Sequence, residues 1–171
     1  MIYYFAYGSN LHPLRLGERV SSAELVGTAE ISGYRLVFHK NGHDSSGKCN
    51  LFKTDMSSDS VYGAIYTLSP EHKSILDEFE GKGFGYIDRK IEVPHQQRTI
   101  TCFTYFAQDA YILDTLEPYH WYKQLVVHGA YYLKFPEAYI LSIEAIKSQQ
   151  DPKHIRRQVH EKLLQKIIHF P

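Results

Sequence analysis

Strand-forming and helix-forming segments are segregated along this chain of 171 residues, and that order restricts its architecture more than any other feature. Residues 2–7 form a short, nearly all-apolar run, as expected of a strand buried on both faces. The run stops at Gly8-Ser9-Asn10, three residues that favour turns and caps. Pro13 stands in what could be the first turn of a short helix. A second strand region covers residues 25–38, interrupted at Gly27 and Gly33. Residues 40–48 read as a loop, because Asn41-Gly42 and Ser45-Ser46-Gly47 are turn signals. Leu51-Phe52 and residues 61–68 add further strands. Residues 86–93 and 99–107 read as a hairpin joined by residues 94–98. After Pro118 come three helical segments, near 119–133, 136–147 and 152–168. No repeat, low-complexity tract or interdomain linker interrupts them. A domain over residues 1–150, with a helical extension at 151–171 packed on it, is the expected organisation.

The clearest helix of the first half spans residues 70–80. Ser69 suits the N-cap, Pro70 the first position, Glu71 the positive end of the dipole, and Gly81 the C-terminal stop. At about 100° per residue, Ile75, Leu76 and Phe79 form its apolar stripe, and Glu80 sits just beyond Leu76. Asp77 is expected to point away from that stripe. Glu78 flanks the other edge, so the periodicity only mildly prefers Glu80 as a carboxylate facing a pocket.

The turn at Gly8-Ser9-Asn10 is the other informative segment. Gly8 lets a ligand approach the backbone with no Cβ in the way, and successive turn N–H groups can seat a carboxylate or an oxyanion. A serine-hydrolase elbow, G-x-S-x-G, is absent. His39, His43, Asp44 and Cys49 offer metal-ligating atoms, but without a recognised ligand spacing. The segment from His154 to Lys166 carries Arg156, Arg157, His160 and Lys162, and reads as an amphipathic helix with a solvated basic face. Nineteen Lys plus Arg balance nineteen Asp plus Glu, so no overall field draws the chain to nucleic acid or anionic membrane. No apolar run approaches the roughly 20 residues of a membrane span. Two cysteines, Cys49 and Cys102, with no C-x-x-C spacing are expected as free thiols in a reducing compartment. A cytoplasmic location follows as the expectation. Tyrosine is abundant, at 14 residues, which suits either half-buried strands or a phenol-lined pocket.

Taken together, these segments resemble the γ-glutamylcyclotransferases. The family's Y-G-S-N loop stands here as Tyr7-Gly8-Ser9-Asn10, inside the longer run from Tyr4 through Phe5 and Ala6. Its helix-ending acidic motif stands as Leu76-Asp77-Glu78-Phe79-Glu80-Gly81, with Glu80 at the catalytic carboxylate. The strand from Val61 to Leu68, containing Gly63, resembles the strand before that helix. Tyr122-Lys123, Gly129-Ala130 and Phe135-Pro136-Glu137-Ala138-Tyr139 resemble its helical region, with Tyr122 at a substrate-contacting tyrosine. The resemblance runs from about residue 2 to residue 146 and keeps the family's order.

It implies an α+β fold, a small, mostly antiparallel or mixed β-barrel flanked by helices. It also implies a pocket between Glu80 and a substrate-binding set of Tyr4, Phe5, Ala6, Tyr7, Gly8, Ser9, Asn10 and Tyr122. The implied reaction cyclises a γ-glutamyl amino acid or peptide to 5-oxoproline and frees the amine, with Glu80 as general acid/base. No cofactor or metal enters that scheme. The implied partner is a small γ-glutamyl molecule, not nucleic acid or membrane, and the chain is expected as a monomer or homodimer. A γ-glutamylamine, or a γ-glutamyl-protected biosynthetic intermediate, is an alternative substrate. A non-catalytic module that holds glutamyl ligands is a third reading. It is disfavoured by Glu80, since a carboxylate does not help bind an anion.

Overall fold

The computed structural model describes residues 1–171. Seven strands and five α-helices follow one another as β1 (Ile2–Ala6), α1 (Pro13–Arg19), β2 (Glu24–Ser32), β3 (Tyr34–Asn41), β4 (Gly47–Lys53), β5 (Ser60–Leu68), α2 (Lys73–Glu80), β6 (Tyr86–His95), β7 (Arg98–Ala107), α3 (His120–Tyr132), α4 (Glu137–Glu144) and α5 (His154–Ile168). Five strands form one sheet in the order β2-β5-β1-β7-β6, so the apolar β1 occupies its centre. It pairs antiparallel with β5, Tyr4 facing Tyr66, and parallel with β7, Tyr4 facing Phe103. Phe5 and Ala6 are completely buried, as a strand covered on both faces requires.

The sheet curls until its two edges meet. His95 at the end of β6 places Nδ1 3.4 Å from the Thr28 carbonyl oxygen of β2. No ladder joins these edge strands, so the sheet is barrel-like without being a strictly closed barrel. β3 and β4 make a separate hairpin that leans on β7, where Asn50 Oδ1 accepts from the Ala107 N–H at 2.8 Å. The α+β expectation therefore holds, and the helices flank a mixed sheet.

Several local expectations are corrected. The strand region 25–38 is two strands in different sheets, parted at Gly33, whose φ of 81° turns the chain. Both ends of the expected loop 40–48 are ladder. Asn41 pairs with Gly47, and only residues 42–46 form the turn. Their Gly/Ser composition marked the turn correctly but not the strands that meet across it. The hairpin of β6 and β7 is likewise longer, with Gln96-Gln97 as its tight turn. Helix 70–80 begins as a 3₁₀ turn over Pro70–His72 and ends, as expected, at Gly81 in the left-handed region.

The buried face of α2 differs from the expected stripe. Leu76 is fully buried, but Ile75 is 38% and Phe79 55% exposed. The helix is rotated so that Asp77 turns inward, where it accepts from the Tyr105 hydroxyl at 2.6 Å and pairs with Lys73 at 2.7 Å. Lys73 and Lys82 both bridge on to Asp88 of β6, at 2.8 Å each. This four-membered ion network, and not an apolar stripe alone, fastens α2 to the sheet.

α3 is apolar on nearly all sides and is accordingly the buried helix. Its one buried cation, Lys123, caps the end of α4 by donating to the Glu144 and Ile146 carbonyls at 2.9 and 2.7 Å. α5 packs on α3 through Leu163, Leu164 and Ile167. Its basic residues are not all solvated. Arg156 forks onto the fully buried Asp151, at 2.6 and 2.7 Å, and the same carboxylate accepts from Trp121 Nε1 at 2.9 Å. No helix is long and apolar enough to cross a membrane.

The Asp88 carboxyl gives a pH-dependent prediction. Burial opposes its ionisation, but hydrogen bonds from Lys73 and Lys82 prevail and lower it to about 2. The folded value lies below the unfolded one, so the stabilisation is full above about pH 4 and is lost as pH falls through about 2. The melting temperature should drop steeply across that window, and Asp88→Asn should flatten the drop. A parallel decline in both proteins would contradict the assignment.

Candidate active site

β1 delivers the chain into a tight loop, residues 7–12, that two close approaches hold in place. A Cβ on Gly8 would lie 2.9 Å from Cys49 Cβ and 3.2 Å from its Sγ, on β4. A Cβ on Gly129 of α3 would lie 2.6 Å from Leu11 Cβ. Only glycine at both positions lets a strand and a helix close on the loop. Tyr66 anchors its far end by donating to the Leu11 carbonyl at 2.7 Å.

The loop turns through a Leu11 N–H to Gly8 carbonyl bond of 3.1 Å, which leaves the N–H groups of Gly8, Ser9 and Asn10 without an acceptor in the protein. Ser9 and Asn10 are buried. Buried amides without partners are rare, and a run of them forms an anion seat.

Glu80 ends α2 directly beside this seat. Its Oε1 accepts from Asn10 Nδ2 at 2.8 Å and from Arg19 Nη1 at 3.0 Å. Arg19 also donates to Asn10 Oδ1 at 3.0 Å, closing a triangle between α1, α2 and the loop. The guanidinium lies over the Phe79 ring, 5.2 Å from its centroid, which gives that exposed phenyl a role. Glu80 Oε2 has no partner in the protein. One carboxylate oxygen is thus fixed and the other is free.

Five tyrosines, Tyr4, Tyr7, Tyr86, Tyr105 and Tyr122, wall a pit of about 20 Å³ between the loop and Glu80. Both readings of the tyrosine content therefore apply, since these phenols come from three strands, one helix and the loop and converge on one cavity. Burial raises the hydroxyls of Tyr4, Tyr7, Tyr86 and Tyr122, keeping them protonated donors. Tyr86 and Tyr122 are tied together through Cys49, whose carbonyl accepts from Tyr86 and whose N–H donates to Tyr122 Oη at 3.1 Å. The Cys49 thiol is itself pushed up to about 12 by burial.

The pit adjoins a cleft of about 270 Å³, with which it shares Ser9, Glu80, Tyr86 and Tyr122. The cleft is rich in cations. Arg15 and Arg19 enter it from one face of α1, and Lys40 and Lys48 from the β3–β4 hairpin. Lys48 pairs with Asp44 at 2.7 Å.

Most of the expected site residues come together here. Tyr4, Tyr7, Gly8, Ser9, Asn10, Tyr122 and Glu80 all line the pit. Phe5 and Ala6 do not, because the central position of β1 buries both of its faces in the core. Gly8 serves the loop by its approach to Cys49, which the sequence did not disclose. Asp77 is saturated by Lys73, Lys82 and Tyr105, and Glu78 is exposed at the rim of the cleft. His39, His43, Asp44 and Cys49 are not gathered: His39 contacts Asp114 and Asn50, Asp44 holds Lys48, and Cys49 faces Gly8. Sequence reasoning did not place Arg19, Tyr86 or Tyr105 in the site. The spacing of Arg15 and Arg19, one helical turn apart just after the loop, was the available signal for the first.

A model of the family described as gamma-glutamyl cyclotransferase, AIG2-like, matches residues 4–124. The human protein named gamma-glutamylcyclotransferase is 26% identical over 165 residues, covering 92% of this chain and 85% of its own. The mouse protein of that name is 29% identical over 154 residues, covering 86% and 79%. A solved structure of a gamma-glutamyl cyclotransferase superposes with a TM-score of 0.84 at 25% identity, over 96% of this chain and 98% of that one.

The Gly8–Cys49 contact makes a direct prediction. Gly8→Ala must push the loop and β4 apart, so it should lower stability by about 1–3 kcal/mol and reduce turnover together. Denaturant melts and a rate on one preparation check it. Unchanged stability would show that the loop is not clamped.

Proposed function

The chain belongs to the gamma-glutamyl cyclotransferase, AIG2-like family, and from that premise we propose that it is a γ-glutamylcyclotransferase with Glu80 as its proton-transfer residue. In a γ-glutamyl compound the α-amine attacks the γ-carbonyl carbon of the same molecule. The new C–N bond closes a five-membered ring, the original amide C–N bond breaks, and 5-oxoproline and a free amine leave. Nucleophile and electrophile share one molecule, so a bent, bound conformation replaces a covalent enzyme intermediate. The attacking nitrogen must lose a proton and the leaving nitrogen must gain one. Glu80 Oε2 is the group that can carry it.

The observation that supports this reading is the state of Glu80: one oxygen held by Asn10 and Arg19, the other free beside three unpartnered amides. Fixing Oε1 holds the carboxylate in one orientation, and Oε2 then meets the amine of a substrate whose anionic oxygen rests on the loop. Preorganised donors of that kind stabilise an oxyanion or grip a carboxylate without reorganising during the reaction. The phenol walls stay neutral, so none of them competes with Glu80 for the proton. The scheme draws on no metal or cofactor, because every reacting atom belongs to the substrate or to Glu80. The substrate is a small molecule, and we place the reaction in the cytoplasm.

Glu80→Gln should keep the melting temperature near that of the wild type and lower 5-oxoproline release by at least about 100-fold. Glu78→Gln, at the exposed rim, should cost little. Comparable turnover in Glu80→Gln and wild type would sink the assignment. Arg19→Gln removes a charged hydrogen bond from the anchored oxygen, and should cost about 10-fold in kcat through misplacement of the base.

A further inference from the structure

We propose that Arg15 of α1 and His160 of α5 form a subsite for a carboxylate carried by the leaving amine, which makes α5 a specificity element of the cleft. The inference rests on the activity proposed above and concerns the half of the substrate that the reaction releases.

Two cations in the cleft have no carboxylate partner. Lys40 is only 4% exposed and makes no ion pair, lying instead over the Tyr86 ring at 4.6 Å. Arg15 makes no ion pair or hydrogen bond, and its Nε is buried without an acceptor. Leaving charges buried and unpaired is costly, and the other cleft cations avoid it through Glu80 and Asp44. Two unpaired cations match two anionic groups, and a γ-glutamyl amino acid carries two carboxylates. Lys40 sits over Tyr86, a wall shared with the pit, and so is placed for the glutamyl portion. Arg15 lines the cleft but not the pit, and is left for the other carboxylate.

His160 lines the same cleft, and its Nδ1 is also buried without a partner. Its position is fixed, since the imidazole stacks on Trp121 at 3.6 Å with the planes 11° apart. Trp121 is in turn held through Nε1 by Asp151, onto which Arg156 of α5 forks. Burial, with the charges of Arg15 and Lys48, lowers His160 to about 4, so the ring meets a ligand neutral, with one N–H to donate. Two unmet polar groups from two helices therefore line the cleft beside the pit, where the leaving portion of a γ-glutamyl substrate would extend.

The test compares kcat/KM for γ-glutamyl-alanine with that for γ-glutamyl-ethylamine, which lacks the second carboxylate, in wild type and variants. Wild type should prefer γ-glutamyl-alanine. Arg15→Gln should reduce that preference about 10-fold or more, and Arg15→Lys should recover part of it. His160→Phe keeps a ring stacked on Trp121 but removes both nitrogens, so a merely structural role would leave the preference intact. The subsite requires the preference to fall. Retained turnover with an unchanged ratio in both Arg15→Gln and His160→Phe overturns the subsite alone. A wild type that releases 5-oxoproline from neither compound overturns the activity, and the subsite with it.

Discussion

The loop after β1 is buried while three of its amides lack acceptors, and the surrounding structure is arranged around that unmet demand. Such a segment would ordinarily relax toward water or rearrange to pair its N–H groups. It is prevented from doing so at both ends. Gly8 is pressed against β4, Leu11 against α3, and Tyr66 pins the Leu11 carbonyl. The elements named are far apart in sequence, and each contributes a contact where only a small residue or a buried hydroxyl fits. A substrate oxygen that met the three amides would complete the hydrogen bonding the fold leaves open.

Asp77 and Glu80 lie within one turn of α2, and the structure separates their duties by their neighbours. Asp77 receives Lys73, Lys82 and the Tyr105 hydroxyl, so it ties the helix to β6 and β7 and has nothing left to offer a ligand. Glu80 receives partners on one oxygen only. The Asp77 network makes the helix rigid, and that rigidity sets where Glu80 can point. Arg19 contributes from a third element, so the direction of the carboxylate is fixed from two sides.

What could be read from the sequence was local. The turn at Gly8-Ser9-Asn10 and the acidic end of α2 are contiguous motifs, each interpretable from its own few residues. The helix end at Gly81 was legible because a left-handed cap is a backbone requirement. What escaped was set by distant partners. Residues 40–48 looked like a loop because turn composition is visible and the ladder between Asn41 and Gly47 is not. Asp77 was expected to face outward because Ile75 and Phe79 are apolar. Their exposure reflects a helix held by ions, with Phe79 serving as a platform for Arg19. The Cys49 contact behind Gly8 could not be inferred from either residue alone.

The parallel pairing of β1 with β7 has a consequence for how the molecule acquires its site. The Thr104 hydroxyl reaches the Phe5 carbonyl across 99 residues of chain, and the Tyr7 hydroxyl reaches Tyr105 across 98. The central strand is thus synthesised long before either neighbour that will flank it. Closing loops of that size is entropically expensive until the sheet rewards it, which gives such topologies high contact order and slow folding. The hairpins β3–β4 and β6–β7 are local in sequence, whereas β1 pairs only with distant strands. Binding competence therefore depends on contacts between residues far apart in the chain. A chain in which β1 is unpaired exposes an apolar strand, the kind of edge through which chains associate.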